Sequence, residues 1–251
     1  MTEQKQKNRK ASEAASGGIA ELKPRIVSIY PHETVADTRG LAWHGGSLYE
    51  SASSSRSSVI RRIEVPSGDF EDYPASVDGV AGGIAVADGH LYLICGHHGR
   101  AHTHGLPALG HVNQRQVSVD GHRSLAHDGN EFVLSAENGG LSFHSSEFGV
   151  TRTLPVQCGG SELTGFLEIE YGAGKIYGSQ SSDENIYEIC PKSGQVERII
   201  DCSDLKEIAG LNGTDTGMNG IGYERSHGQL YVTGSAWRYV FALDITGIPV
   251  I

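Results

Sequence analysis

The chain has 251 residues, of which 34 are glycine, and a formal net charge of −10. This length suffices for one large domain with a buried core. The acidic balance, without a basic stripe interleaved with aromatic residues, argues against a nucleic-acid partner. Because the chain has no run of 18 or more apolar residues, it predicts no membrane-spanning segment. We therefore predict a protein without nucleic-acid or membrane partners.

The first 23 residues carry lysines and other polar residues but no apolar segment. Residues 1–23 are therefore predicted to form a disordered tail rather than a signal peptide, and the chain as written to be cytoplasmic. Pro24 precedes an apolar strand, RIVSIY, which begins a single predicted domain over residues 24–251. Isolated cysteines without CxxC spacing predict buried thiols rather than disulfides or a metal cluster: Cys95, Cys158, Cys190 and Cys202.

Five similar segments follow in chain order. Each has a short apolar strand, a polar turn that contains glycine, and a second apolar strand. They are GLAWHGGSLYES from Gly40, GIAVADGHLYLI from Gly83, SLAHDGNEFVLS from Ser124, FLEIEYGAGKIYGS from Phe166 and GIGYERSHGQLYVTG from Gly220. A repeat of about 40–50 residues with four strands in each unit is typical of a β-propeller blade.

The rest of each repeat supplies further strands, such as SSVIRRIEV and DFEDYPA in the first unit and NIYEICP and QVERIID in the fourth. The last unit ends after RYVFALDI without a fourth strand, whereas RIVSIY has no blade of its own. Pairing these two strands would close the ring. We therefore predict an all-β fold, a five-bladed β-propeller closed by the N-terminal strand. One or two helical turns are predicted in the first half of the insertion 203–217.

A propeller builds its pocket at one end of the central channel, and its function must be argued from that pocket. Residues that enter the first strand of a blade lie at the same end as those that leave the second strand. Candidates at these junctions are Asp37, Thr38, Arg39, Glu50, Ser51, Glu137, Asn138, Gln180, Asn219, Ser235 and Trp237.

Histidines cluster in the stretch GHHGRAHTHGLPALGH, residues 96–111, and include His97, His98 and His111. Imidazole is a ligand for transition metals, and His102 and His104 would lie on one side of an extended strand. The stretch contains no carboxylate, and its glycines indicate a solvated loop. We predict no metal site, with His102 and His104 as weak candidates for an adventitious transition metal.

Three motifs make the sequence similar to the glutaminyl cyclases of the plant and bacterial type. They are LYES with the following SSVIRRIEVPSG, LTGFLEIE, and MNGIGYERSHGQLYVTGSAW, and the resemblance spans residues 35–245. The family implies a five-bladed propeller that converts an N-terminal glutamine to pyroglutamate with loss of ammonia. It also implies a peptide or small amide substrate and no cofactor. We expect the chain to act as a monomer.

The resemblance implies roles for individual residues. Glu50 matches the essential carboxylate that follows Leu-Tyr, and Asn219 matches the asparagine of the NGI motif. Arg39 stands where the family has glutamine, and Glu168 is the glutamate retained from the NELEW motif. Trp237 is retained in TGSAWR, where Ser235 replaces a lysine. These matches predict Glu50 as the catalytic group and Arg39, Glu168, Asn219 and Trp237 as substrate-binding residues.

Cyclisation requires a base for the substrate amine and an acid for the departing ammonia, and one carboxylate can supply both. Trp237 would form a wall of the pocket, and Arg39 or Asn219 would stabilise the developing oxyanion. An arginine beside Glu50 would pair with it, and Arg39 is the predicted neighbour.

Two alternatives stay open. One is an inactive propeller that serves as a binding or scaffold module. The other is a metal-dependent lactonase-like hydrolase, in which Glu168 and Glu170, alternating on one strand, would hold calcium or another hard cation.

Overall fold

The computed structural model describes residues 18–54, 57–77, 79–95, 99–117, 121–136, 139–181, 183–211 and 217–247. Five sheets, antiparallel apart from one added edge strand, are arranged around a central channel as the blades of a β-propeller, which confirms the predicted fold. In each sheet the strand that comes first within the repeat is the innermost. The five predicted hairpins supply the first and second strands of the five blades.

The first three blades are formed by consecutive strands. Blade 1 contains β3 (Asp37–His44), β4 (Ser47–Ser53), β5 (Ser58–Glu64) and β6 (Phe70–Pro74). Blade 2 contains β7 (Ile84–Ala87), β8 (His90–Cys95), β9 (Arg100–Gly105) and β10 (Gly110–Gln116). Blade 3 contains β11 (His122–His127), β12 (Phe132–Ala136), β13 (Leu141–His144) and β14 (Val150–Leu154).

The last two blades take strands from both ends of the chain. Blade 4 contains β17 (Phe166–Gly172), β18 (Lys175–Gln180), β19 (Asn185–Ile189) and β20 (Val196–Asp201), with β1 (Ala20–Leu22) on its outer edge. Blade 5 contains β21 (Gly220–Glu224), β22 (Gln229–Thr233), β23 (Tyr239–Asp244) and the N-terminal strand β2 (Arg25–Pro31). A two-stranded ribbon, β15 (Val156–Cys158) and β16 (Ser161–Leu163), links blades 3 and 4.

The ring closes through β2, which runs antiparallel to β23 with Arg25 opposite Asp244 and Pro31 opposite Tyr239. This pairing confirms the predicted closure. It covers the outer edge of β23, which would otherwise present unpaired backbone groups to solvent.

The predicted disorder of residues 1–23 is wrong for Ala20–Leu22. These residues form β1, which pairs in parallel with β20 and places Leu22 opposite Ile200. The physical reason is the open edge of blade 4, which accepts a further strand. Residues 1–17 lie outside the part of the chain that the structure describes.

The predicted solvated loop at residues 96–111 is also wrong where the structure describes it. Residues 100–105 and 110–116 form β9 and β10, and the side chains of His102 and His104 are buried. They lie opposite Leu93 and Leu91 of β8, which belong to the apolar cluster between blades 1 and 2. The strand period of two therefore places both imidazoles in the core. His97 and His98 lie outside the described residues.

The insertion after blade 4 contains helix α1 (Ser203–Ile208), as predicted, with Leu205 buried. Over the described residues, no helix has both the length and the apolar character needed to cross a membrane. Cys95, Cys158 and Cys202 are buried free thiols, and Cys190 is partly exposed.

Near the first residues of the first two repeats, neighbouring inner strands pack backbone against backbone. A Cβ atom on Gly83 would lie 2.5 Å from the Cα atom of Ser124, and one on Gly40 would lie 2.8 Å from the Cα atom of Gly83. Side chains do not fit at these positions, which explains why the first two repeats begin with glycine. We call this level the waist. It separates the strand-end face, where inner strands begin, from the hairpin-turn face, where the turns between first and second strands lie.

Candidate functional site

Glu50 is wholly buried between the first and last blades. On β4 it lies opposite Leu41 of β3 and Arg61 of β5. Cross-strand neighbours point to the same side of a sheet, and Leu41 packs in the apolar cluster formed by blades 1 and 5. Glu50 is therefore a carboxyl group inside an interblade interface, and it requires hydrogen-bond donors there.

Three side chains supply those donors. The Thr38 hydroxyl donates to Oε1 of Glu50 at 2.7 Å, and Nε2 of His32 lies 3.1 Å from the same oxygen. Nη1 of Arg61 donates to Oε2 of Glu50 at 3.4 Å. Arg61 also pairs with Asp72, with Nε–Oδ1 and Nη2–Oδ2 distances of 2.7 Å and 3.0 Å. Glu50, Arg61 and Asp72 thus form a row of alternating charge across three adjacent strands.

His32 is buried with 1% of its side chain exposed, and its position depends on the closing strand β2. Its Nδ1 atom lies 2.7 Å from the backbone oxygen of Trp237 and 3.3 Å from the hydroxyl of Thr233. Burial lowers the pKa of His32, but the hydrogen bond and charge of Glu50 and the carbonyl of Trp237 outweigh it, so the net pKa is raised.

Asn219 and Ser235 are half-buried and lie next to this cluster. Nδ2 of Asn219 donates to Oγ of Ser235 at 2.9 Å, and both side chains lie 3.4 Å from the backbone oxygen of Thr38. Oδ1 of Asn219 is buried without a hydrogen-bond partner among the described residues. Thr38 therefore lies between Asn219 and Glu50 and bonds both, and Oδ1 of Asn219 is left as a free acceptor.

The structure does not place Arg39 beside Glu50. A β-bulge between Thr38 and Gly40 interrupts the register, and the side chain of Arg39 is 40% exposed, 3.3 Å from Asp37. The arginine that pairs with Glu50 is Arg61, so the predicted neighbour was wrong.

The predicted pocket wall at Trp237 is also not what the structure shows. Its side chain is fully buried and lies edge-on to Phe241 in the apolar core shared by blades 4 and 5. An indole enclosed by core side chains has no face free for a substrate. Trp237 contributes to the site through its backbone oxygen, which bonds His32.

Glu168 is fully buried on β17, the innermost strand of blade 4, and does not belong to the Glu50 cluster. One carboxyl oxygen accepts the backbone N–H of Leu41 at 3.3 Å, and the other is buried without a partner among the described residues. Burial raises the pKa of Glu168 well above its usual value, despite hydrogen bonds from Ser124 and Leu41. A protonated carboxyl group is the form that this position favours.

Two other candidates can also be located. Oγ of Ser51 donates to the backbone oxygen of Gly82 at 2.5 Å, and Nε2 of Gln180 donates to that of Thr164 at 2.5 Å, so both side chains tie backbone segments together. Glu137 and Asn138 lie outside the described residues.

The hairpin-turn face holds a cavity of about 430 Å³ with contributions from all five blades. Its lining includes Trp43, Asp88, His127, Glu170, Tyr223 and Glu224. Burial raises the pKa of Glu170 to about 8. Burial also disfavours the charged form of Glu224, but hydrogen bonds from Ser226 and His227 outweigh it and lower its pKa to about 2.

Metal binding has no geometric support in the described part of the chain. It contains no group of three His, Cys, Asp or Glu side chains placed to share an ion. Nδ1 of His104 bonds the backbone oxygen of Leu109 at 3.2 Å, and the rings of His102 and His104 contact that of His111.

His32 and Arg61 are the site residues that sequence reasoning missed. A signal for Arg61 was available, because the β4–β5 hairpin register that sets Ser53 opposite Ser58 also sets Glu50 opposite Arg61. Predicting the role of His32 required the register between β2 and β23, which come from opposite ends of the chain.

Comparisons with known proteins cover nearly the whole chain. A family model described as glutamine cyclotransferase matches residues 2–245. A glutaminyl-peptide cyclotransferase of Arabidopsis thaliana is 25% identical over 244 residues, covering 92% of this chain and 75% of the relative. The crystal structure of Myxococcus xanthus glutaminyl cyclase aligns with a TM-score of 0.80 at 25% identity, covering 90% of this chain and 97% of that one. The chain therefore belongs to the glutamine cyclotransferase family.

Proposed function

We propose that the protein converts an N-terminal glutamine of a peptide or small amide to pyroglutamate and releases ammonia, with Glu50 as general acid and base. The observation that carries this proposal is the position of Glu50, the carboxyl group of the strand-end face with three side-chain donors around it. Membership of the glutamine cyclotransferase family supports the reaction type.

The proposed reaction forms one C–N bond and breaks another. The neutral α-amine nitrogen attacks the carbon of the γ-carboxamide, and its surplus proton passes to Glu50. Glu50 returns a proton to the amide nitrogen as its bond to carbon breaks, so that ammonia leaves. The proposed transfers use side chains of this chain alone and leave the protein unchanged after each turnover.

Access to Glu50 is the demanding part of this proposal, because the residue has no exposed surface. Asn219 and Ser235 are the half-buried groups that bond the backbone of Thr38, whose hydroxyl holds Glu50. We propose that the substrate displaces the hydrogen bond between Asn219 and Ser235. The free Oδ1 of Asn219 would then accept a hydrogen bond from a substrate N–H group, since an unpaired buried acceptor favours a donor.

A second candidate is a propeller without catalytic activity that serves as a binding or scaffold module. The burial of Glu50 between blades 1 and 5 favours it, because the same contacts join the first blade to the last whatever the chemistry. The lactonase-like alternative has no such support, since the described residues bring no set of metal ligands together.

The test incubates purified protein with a peptide that begins with glutamine and follows ammonia release and the matching loss of mass. We expect turnover by the wild-type chain and a fall of about 100-fold or more in kcat for Glu50→Gln, the usual range for losing a general acid–base group. Circular dichroism establishes that the variant is folded.

Should Glu50→Gln fail to fold, Asn219→Ala provides the second test, and we expect it to raise KM. An inactive wild-type chain, or full activity in both variants, overturns the proposal in favour of the scaffold.

A further inference from the structure

The imidazole of His32 lies between two kinds of acceptor, and their chemistry fixes one of its protons. Nδ1 lies 2.7 Å from the backbone oxygen of Trp237, which can only accept. Its second neighbour, the hydroxyl of Thr233, donates its single hydrogen to the backbone oxygen of Tyr239 at 2.9 Å and so presents an acceptor as well. Nδ1 therefore carries a proton.

This assignment determines what lies on the other side of the ring. With Nδ1 protonated, a neutral imidazole would direct the lone pair of Nε2 at Oε1 of Glu50, 3.1 Å away. Two lone pairs at that distance repel unless a proton lies between them. One proton is therefore shared by the pair, either as imidazolium with carboxylate or as imidazole with carboxylic acid.

The two oxygens of Glu50 are used differently. Oε1 accepts hydrogen bonds from both Thr38 and His32, and these two bonds occupy its two lone pairs. Among the described residues, Oε2 has a hydrogen bond only with Nη1 of Arg61, at a long 3.4 Å. One lone pair of Oε2 is therefore left for a further partner.

We propose that His32 is a positioning residue of the cyclisation: with Thr38 it fixes Oε1 and the proton beside it, so that Oε2 exchanges the proton with the substrate. This inference rests on the proposed function. The proton from the α-amine nitrogen goes to Oε2 and leaves from Oε2 to the departing amide nitrogen. The proton between His32 and Oε1 stays in place throughout.

The surrounding charges agree with a doubly protonated ring. Glu50 of β4 and Arg61 of β5 are the charged groups that act on His32, and Asp72 of β6 lies beyond Arg61. Burial and Arg61 lower the pKa of His32, while Glu50 and the carbonyl of Trp237 raise it by more. The ring therefore keeps its second proton to a higher pH than an ordinary histidine does.

The first test needs no substrate. Nitrogen-15 NMR of the histidine rings in the full chain, with His32 assigned through His32→Gln, should show both ring nitrogens protonated at pH 6. We expect the pKa of His32 to fall in Glu50→Gln. A ring with an unprotonated Nε2 at pH 6 in the wild type overturns the imidazolium–carboxylate pair, which the positioning role requires because Oε2 must be a carboxylate oxygen to take a proton.

The second test compares kinetics. We expect His32→Ala to lower kcat by about 10-fold to 100-fold with KM nearly unchanged. His32→Gln should recover part of the loss, because its amide N–H can donate to Oε1. His104→Gln, a change of another buried histidine in blade 2, is the matched control for lost packing and should leave kcat unchanged.

The two tests separate the proposals. An inactive wild-type chain overturns the cyclase function and with it the positioning role, whereas the NMR result still decides the shared proton. An active wild-type chain with full kcat in His32→Ala overturns the positioning role and leaves the cyclase function standing. Equal losses in His32→Ala and His32→Gln would also contradict the positioning role.

Discussion

Glu50 on the strand-end face and Glu170 on the hairpin-turn face have opposite surroundings. At the strand-end face, Glu50 is wholly buried and has hydrogen bonds with Thr38, His32 and Arg61. At the hairpin-turn face, Glu170 is half-buried, and burial raises its pKa to about 8. The hydrogen bond from the backbone N–H of Tyr171 favours the charged carboxylate but does not offset the effect of burial. The comparison shows that the depth of a carboxyl group does not determine how many hydrogen-bond donors surround it.

Two glutamates of the hairpin-turn cavity, Glu170 and Glu224, differ in the same way. Glu224 lines the same cavity as Glu170 but accepts hydrogen bonds from the backbone and side chains of Ser226 and His227. Its pKa falls to about 2, because those donors outweigh the effect of burial. Two glutamates of one cavity therefore hold opposite protonation states at neutral pH.

The largest expected loss of stability comes from removing Arg61, the charged partner of Glu50. Arg61→Met leaves Glu50 buried without its guanidinium partner and frees Asp72. We expect a loss of about 3–5 kcal/mol in the free energy of unfolding, the usual cost of breaking a buried pair from one side. Denaturation in guanidinium chloride measures it.

Arg62→Met is the matched control for Arg61→Met. Arg62 is the adjacent residue on the opposite side of β5, 28% exposed, and it pairs with Glu64 and Glu71 at the surface. We expect a loss of at most about 1 kcal/mol. Equal losses in the two variants would contradict the central role given to Arg61.

The second effect concerns the waist that keeps the two faces apart. Gly83→Ala would place a Cβ atom 2.5 Å from the Cα atom of Ser124, and backbone atoms cannot yield as a flexible side chain does. We expect a loss of about 3 kcal/mol in the free energy of unfolding. Gly110→Ala, where the added atom would have no neighbour within 4 Å, should change stability little.

The smallest expected effect is a change in the pH dependence of stability, which tests the raised pKa of Glu170 directly. Between pH 4.5 and 8 the native chain keeps the proton on Glu170 that the unfolded chain has lost, so wild-type stability falls as pH rises through this window. Glu170→Gln does not titrate. We expect the variant to match the wild type near pH 4 and to be more stable by about 2 kcal/mol at pH 8.

Glu224→Gln should show the opposite sign. The lowered pKa of Glu224 stabilises the native chain above pH 4.5, and this contribution is lost as pH falls through about 2. The variant should therefore be less stable than the wild type at pH 7, with the difference shrinking in acid. Thermal unfolding over a range of pH records both profiles, and a shared sign would refute the account.

The fold could be predicted because its signals are local and repeated. Each repeat has the same hairpin, and the unmatched strands at the two ends indicate ring closure. Arg61 was predictable in principle from hairpin register alone. The histidine stretch was misjudged because its glycines suggested a loop, whereas the leucines of the neighbouring strand β8 place His102 and His104 in the core.

The rest of the site depends on contacts between distant parts of the chain. His32 and Trp237, which bond each other, are 205 positions apart. Arg39 lies at a bulge between Thr38 and Gly40, and Trp237 is buried in the core that blades 4 and 5 share. No local pattern specifies these arrangements, so residue matching could name Glu50, Arg39, Asn219 and Trp237 as candidates but not how the fold places them.

Ring closure by β2 also has a consequence for biosynthesis. The strand that leads to His32 leaves the ribosome early, whereas its partners Thr233 and Trp237 are among the last residues of the propeller to be made. Domains form during synthesis only as their contacts become available. A partly made chain therefore cannot assemble the pair formed by His32 and Glu50, and any chemistry at Glu50 that depends on His32 begins only when the ring is complete.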